Sequence, residues 1–207
     1  MRKVIVAMLA GLVWSGSLSA QVALKSEGQD TAYVKTIVAR SQKIVDALKL
    51  ADAQTAQNVC NIIANRYFLL NDIHSRYDKT RQDARDAELY KHHFELESAL
   101  AVYLTASQID AVKDGMTYGR LQRDYQAQLD MIPSLTDDEK TQVLAWLKEA
   151  REYAMDAADS KGKHFWFDKY RGRTNNWLSA RGYDLKKERE EWQKRIAEKE
   201  QQQKTTK

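Results

Sequence analysis

DAQTAQNVCNIIANRYFLLNDIHSRY, residues 52–77, decides the fold class. Apolar side chains recur at Ala56, Val59, Ile63, Tyr67, Leu70, Ile73 and Tyr77. Steps of three and four residues place them along one side of a helix, because a helical turn takes 3.6 residues. A half-buried strand would require alternation in steps of two. Asp52 stands where a helix N-cap is wanted, with a carboxylate that can accept an unpaired backbone N–H of the first turn. Cys60 lies on this apolar side and is the only cysteine, so an intrachain disulfide is excluded. Its neighbours offer no positive charge to generate a thiolate, and a packed thiol is expected.

The same periodicity extends outward. Residues 31–50 carry Val34, Ile37, Val38, Ile44, Val45 and Leu48 on one side, and residues 83–104 predict a third helix. Two further starts share a signature: Thr105 precedes Gln108 by three residues, and Thr136 precedes Glu139 by three. In such a capping box the Thr hydroxyl accepts one orphan N–H and the Gln or Glu side chain reaches back to another. Helices over residues 106–131 and 137–160 follow, parted by Pro133. One proline and eight glycines leave few helix breakers. The chain is therefore expected to be all-α: a single antiparallel bundle of about five to six helices with an irregular aromatic and basic segment near the C-terminus. After that segment, Lys187–Glu191, Glu190–Lys194, Glu191–Arg195 and Lys194–Glu198 pair opposite charges at spacing four, which supports a solvated helix. Its apolar content is mainly Leu185, Trp192 and Ile196, a stripe too narrow for a coiled coil.

Residues 1–20, MRKVIVAMLAGLVWSGSLSA, have the basic start, short apolar run and small residues of a secretory signal peptide. Residues 21–30 are expected as a flexible leader, 31–192 as one helical domain and 193–207 as a charged, fraying tail. Export to the periplasm or the cell exterior follows. The net charge of +4 becomes near-neutral once Arg2 and Lys3 are removed, so neither nucleic acid nor, after cleavage, a membrane is an expected partner. Oligomeric state is not legible.

KHFWFDKYRGRTNNWLSARGYDL, residues 163–185, differs in composition from all that surrounds it. Between Lys161 and Arg173 five Lys or Arg face the single acid Asp168. Aromatic rings pack on the C–H face of a sugar, Asn both donates to and accepts from hydroxyls, and Arg pairs with a carboxylate through two parallel bonds. The candidate ligand-binding set is His164, Trp166, Lys169, Tyr170, Arg171, Arg173, Asn175, Asn176, Trp177 and Tyr183. The competing reading is structural: the aromatics fill a bundle end, the cations snorkel over them, and Asn175-Asn176 cap a helix starting near Trp177. Gly162 is read as the stop of the preceding helix. No metal-binding spacing, nucleophile elbow or phosphate loop is present, and adjacent His92 and His93 point apart on a helix. No catalytic residue, metal ligand or cofactor is assigned.

The motif Lys163-His164, Lys169-Tyr170-Arg171-Gly172-Arg173, Asn175-Asn176-Trp177-Leu178-Ser179 and Gly182-Tyr183-Asp184, with upstream MTYGRL and IPSLTDDEK, resembles an uncharacterised family of secreted helical proteins from polysaccharide-degrading gut bacteria. Thr174 stands where that pattern has an apolar residue. The resemblance implies sugar binding. The expected function is a carbohydrate-binding or accessory protein of glycan utilisation, with an oligosaccharide or acidic glycan as ligand. One alternative is a structural or chaperone-like envelope protein without a small ligand; a second is a glycan-active enzyme.

Overall fold

The computed structural model describes residues 21–205; the expected signal peptide lies outside them. Among the described residues there are nine α-helices and no strand: α1 (Thr31–Leu48), α2 (Ala53–Arg76), a 3-10 turn (Lys79–Arg81), α3 (Gln82–His92), α4 (Glu95–Leu100), α5 (Ala106–Met116), α6 (Arg120–Met131), α7 (Asp137–Met155), α8 (Ser160–Ala180) and α9 (Leu185–Thr205). None is long and apolar enough to cross a membrane.

The all-α expectation holds, and the helix number is corrected upward. Helix 83–104 is split at His93-Phe94 into α3 and α4. Helix 106–131 is split at Tyr118-Gly119, both left-handed with φ 62°. Glycine tolerates that conformation without steric cost. Both capping boxes form, with Thr105 paired to Gln108 and Thr136 to Glu139. Asp52 caps α2 by accepting from the Thr55 N–H at 2.6 Å.

The α2 stripe lies in the core: Val59, Cys60, Ile63, Tyr67, Leu70 and Ile73 are all buried. Val59, Cys60, Ile63 and Tyr67 join Ile37 and Val45 of α1, Leu100 of α4, and Val112 and Met116 of α5. A second cluster packs Val143, Leu147, Ala150 and Ala154 of α7 on Phe167 and Tyr170 of α8, with Leu121 of α6. A third closes the far end through Met131, Ile132, Leu135 and Leu178, against which Leu185 and Trp192 of α9 dock.

A seam of buried cations joins the first cluster to the helices of the second. Arg66 of α2 donates to Asp156, just past α7, and to the His92 carbonyl. Lys113 of α5 contacts Glu97 of α4 at 2.7 Å and Glu152 of α7 at 3.0 Å. Arg151 of α7 returns the pairing to Asp110 and Asp114 of α5. All three cations are at most 7 % exposed, so each needs its partners to offset lost hydration.

Residues 21–25, expected as part of a flexible leader, are tied along α2. Asn58 accepts from the Val22 N–H and Asn61 donates to the Val22 carbonyl. Asn65 accepts from the Lys25 N–H and donates to the Ala23 carbonyl. Three asparagines on one helix face satisfy backbone that has no strand beside it.

The irregular segment is also corrected. Residues 160–180 form one helix, α8, capped by Asp159, which accepts from the Gly162 N–H at 2.7 Å. Gly162 therefore belongs to a first turn and does not stop the previous helix. Asn175 and Asn176 lie inside α8 and cap nothing. Lys163, Phe167, Tyr170, Thr174 and Leu178 are its buried side, a helical spacing that Lys and Thr conceal from an apolar search. Gly182, at φ 97°, ends the helix. Lys163 reaches back to the Ala154 and Met155 carbonyls, acceptors in the last turn of α7.

Gly172→Ala is expected to stabilise the protein by about 0.5–1 kcal/mol in chemical denaturation, because alanine loses less conformational freedom in a helix interior. Nothing lies within 4 Å of the Cβ it would add. Destabilisation would contradict a regular helix there.

Glu139 supplies a second test. Its carboxylate takes the Tyr183 hydroxyl at 2.7 Å, the Thr136 N–H at 2.9 Å and the Arg181 guanidinium at 2.9 Å. These donors, the Tyr183 hydroxyl foremost, hold its pKa down from 4.5 to about 2. A depressed acid stabilises the fold above its unfolded pKa and loses that contribution as pH falls through the folded value. Glu139→Gln is expected to flatten the decline in wild-type stability between pH 4.5 and about 2, as read from melting temperatures.

Candidate functional site: an aromatic and histidine cleft

The break between α3 and α4 has a structural consequence. It turns His93 and Phe94 toward α7, where Glu149, Glu152, Tyr153 and Asp156 share one face at helical spacing. Between them opens a cleft of about 470 Å³, closed at one end by Trp166 of α8 and walled by Tyr90 of α3. That volume lies within the roughly 300–1,000 Å³ typical of small-ligand pockets.

The cleft walls are aromatic and open to solvent. Tyr90 is 71 % exposed, Phe94 61 % and Tyr153 48 %. Tyr153 stacks on Trp166 with centroids 4.6 Å apart, and Tyr90 meets Phe94 edge-on at 6.1 Å. Phe165, itself exposed, extends the surface by an edge contact to Trp166. Large rings left in water forgo the hydrophobic free energy that burial would recover, so their grouping is unlike the singly scattered apolar residues of an ordinary surface.

The floor is polar and fixed. The His93 Nδ1–H donates to Asp156 Oδ2 at 2.7 Å, while its Nε2 lies 3.7 Å from Glu152 Oε2. Asp156 is held on its other side by Arg66, and its carbonyl accepts from His74 Nε2 at 2.7 Å. The bond to Asp156 raises the His93 pKa above 6.5, with burial opposing and the charges of Asp156 and Glu152 assisting. This arrangement fixes the imidazole tautomer and leaves one nitrogen toward the cleft, the orientation an acid–base histidine needs. Among the described residues no group of three or more His, Cys, Asp or Glu is arranged to hold a metal ion.

The residues singled out from sequence fall around α8 rather than over one concavity. Trp166 lines the cleft, and Lys169 lies over its ring at 4.7 Å. Tyr170 is buried beneath; burial, then its hydrogen bond to Glu149, pushes its pKa well up. Arg173 covers Trp146 at 4.6 Å and reaches Glu149 at 3.4 Å. Trp177 meets Trp146 edge-on under Arg181, and Tyr183 is spent on Glu139. His164 contacts Arg120 at 2.7 Å on another side of α8. Arg171 and Asn175 line a different groove, against α6, α7 and α9, and Asn176 is exposed. The cleft residues missed from sequence are His74, Tyr90, His93, Phe94, Glu152, Tyr153 and Asp156. Tyr90 and Phe94, four apart in a stretch with few other apolar residues, were the available signal.

His93 carries a pH test. A raised pKa means its contribution is full below the unfolded value of 6.5 and is lost as pH rises through the folded one. Lys163 acts in the opposite sense at higher pH: burial lowers its pKa from 10.5 to about 8, so stability recovers between those values. The melting-temperature difference between wild type and His93→Gln is therefore expected to shrink as pH rises above 6.5. A difference independent of pH would contradict the His93–Asp156 pairing.

Comparison with known proteins supplies one finding. The chain belongs to the family described as "Protein of unknown function (DUF3826)", whose model matches residues 34–84 and 78–198. A comparison with curated proteins found no match.

Proposed function

From a member of that family with this cleft, we propose an exported or periplasmic carbohydrate-binding or accessory protein of glycan utilisation that takes a sugar ring between the α3 and α7 walls. The observation that carries it is the set of solvent-open rings, Tyr90, Phe94 and Tyr153, with half-buried Trp166 beside them, around a polar floor. Ring C–H faces stack on the walls, and hydroxyls meet His93 and Glu152 below.

The charge balance favours a neutral ring here. Asp86, Glu149, Glu152 and Asp156 all line the cleft, and its single arginine, Arg85, is already engaged by Asp86 at 2.8 Å. An anionic sugar would meet these four carboxylates with no unpaired arginine among the lining residues to offset them. The acidic preference suggested by Arg171 and Arg173 does not belong to this cleft.

The test is a titration of the protein against a neutral and acidic glycan panel, repeated with Tyr90→Ala and Trp166→Ala. Each variant is expected to weaken a neutral oligosaccharide about tenfold, the equivalent of 1.4 kcal/mol. Tyr90 is too exposed for its loss to damage the core. Wild-type affinity in Tyr90→Ala, or no binding of any glycan, would end this reading.

The His93–Asp156 pair supports a second reading, a glycan-active enzyme in which His93 Nε2 moves a proton. His93→Gln would then abolish turnover of a bound glycan while leaving binding within a few-fold. No turnover by wild type of any glycan it binds would remove the enzyme reading and leave the binding protein.

A further inference from the structure

On the other side of α8 a second groove runs between α6, α7 and α9, with a volume of about 380 Å³. Its composition is unlike the aromatic cleft. Val143, Leu147 and Met131 form an apolar base and Trp192 of α9 stands at one edge. Arg171 and Arg189 bring two guanidinium groups to the rim. Arg189 has no ion-pair partner among the described residues, and Arg171 shares Asp168 with Arg120 at a looser 3.2 Å. The one lining acid, Asp124, is held by Arg120 at 2.9 Å.

Two amides in this groove are incompletely satisfied. Gln128 is 8 % exposed, and its Nε2 donor has no partner; the Oδ1 acceptor of half-buried Asn175 has none either. A buried polar group without a partner costs about 1–3 kcal/mol, and native structures keep few of them without a reason. Gln128 and Asn175 line the same groove as the arginines. A ligand that completes the set needs an anion for the guanidinium forks, an acceptor for Gln128, a donor for Asn175, and a C–H face for Trp192.

We propose that this groove is a second binding site, separate from the aromatic cleft, for a sugar carrying a carboxylate, a uronate. One small molecule offers all four features: a carboxylate, hydroxyl donors, hydroxyl acceptors and an apolar ring face. The site does not depend on the reading of the cleft, and residues of the two share no side chain.

Calorimetric titration of the purified protein with D-glucuronate and D-galacturonate tests it, with D-glucose, D-galactose and acetate as controls. At least one uronate is expected to bind saturably, with the controls at least tenfold weaker. Arg189→Ala and Arg171→Ala are each expected to weaken that uronate at least tenfold. Both side chains sit at the surface, so thermal melts of these variants should match wild type. Arg189→Lys, which keeps the charge but loses the fork, should fall between. Tyr90→Ala, at the other cleft and exposed, should leave uronate binding unchanged. Three results would overturn the site: no saturation by either uronate in the tens of millimolar, acetate binding as well as the uronate, or wild-type uronate affinity in Arg189→Ala. Loss of uronate binding in Tyr90→Ala alone would assign the uronate to the aromatic cleft and overturn the site as a fourth result.

Discussion

Three buried cations constrain this molecule more than any apolar contact does. Arg66, Lys113 and Arg151 lie where α2, α4, α5 and α7 meet, each at most 7 % exposed. Stripping water from a charge costs several kcal/mol unless partners replace it. Their partners, Asp156, Glu97, Glu152, Asp110 and Asp114, all come from a helix or turn other than the cation's own. The N-terminal helices and α7 can therefore approach each other in only one register. Removing one carboxylate would leave a buried cation short of a partner where little water reaches it.

The aromatic cleft is a by-product of that seam. Asp156 pairs with Arg66 on the core side and offers its other oxygen to His93 on the open side. Glu152 divides itself likewise between Lys113 and the vicinity of His93. The carboxylates that fix α7 against α5 and α2 thus also fix the cleft floor. Pre-organisation of this kind lowers the entropic cost of binding, because the polar groups are already held before a ligand arrives.

Helix α8 separates two different surfaces. A helix turns its side chains through a full circle every 3.6 residues, so a rich composition in one segment cannot converge on one site. Trp166 faces the aromatic cleft while Arg171 and Asn175 face the groove with α6 and α9. Had residues 163–183 been an irregular loop, those groups could have gathered. Regular helix geometry distributed them instead: Trp177 went to packing, and Tyr183, past the helix end, to the Glu139 node.

Short-range regularities were legible in the sequence itself. The α2 stripe, the packed Cys60, the Asp52 cap and the boxes at Thr105 and Thr136 each depend on residues within one or two turns, so local spacing determines them. The continuity of α8 was hidden because Lys163 and Thr174 occupy its buried side, and a search for apolar periodicity passes over them. Lys163 is buried only because the α7 terminus presents two carbonyls to it. The tie of residues 21–25 was hidden for a similar reason: Asn58, Asn61 and Asn65 read as solvated until backbone from more than thirty residues away lies beside them. The cleft draws His74, Tyr90, His93, Tyr153, Asp156 and Trp166 from four helices and the breaks between them. Hydrophobic periodicity and caps are one-dimensional signals written along a single helix. Which charged side chains are buried, and which rings face one another across open space, depends on desolvation and proximity between distant segments, and only the tertiary structure decides it.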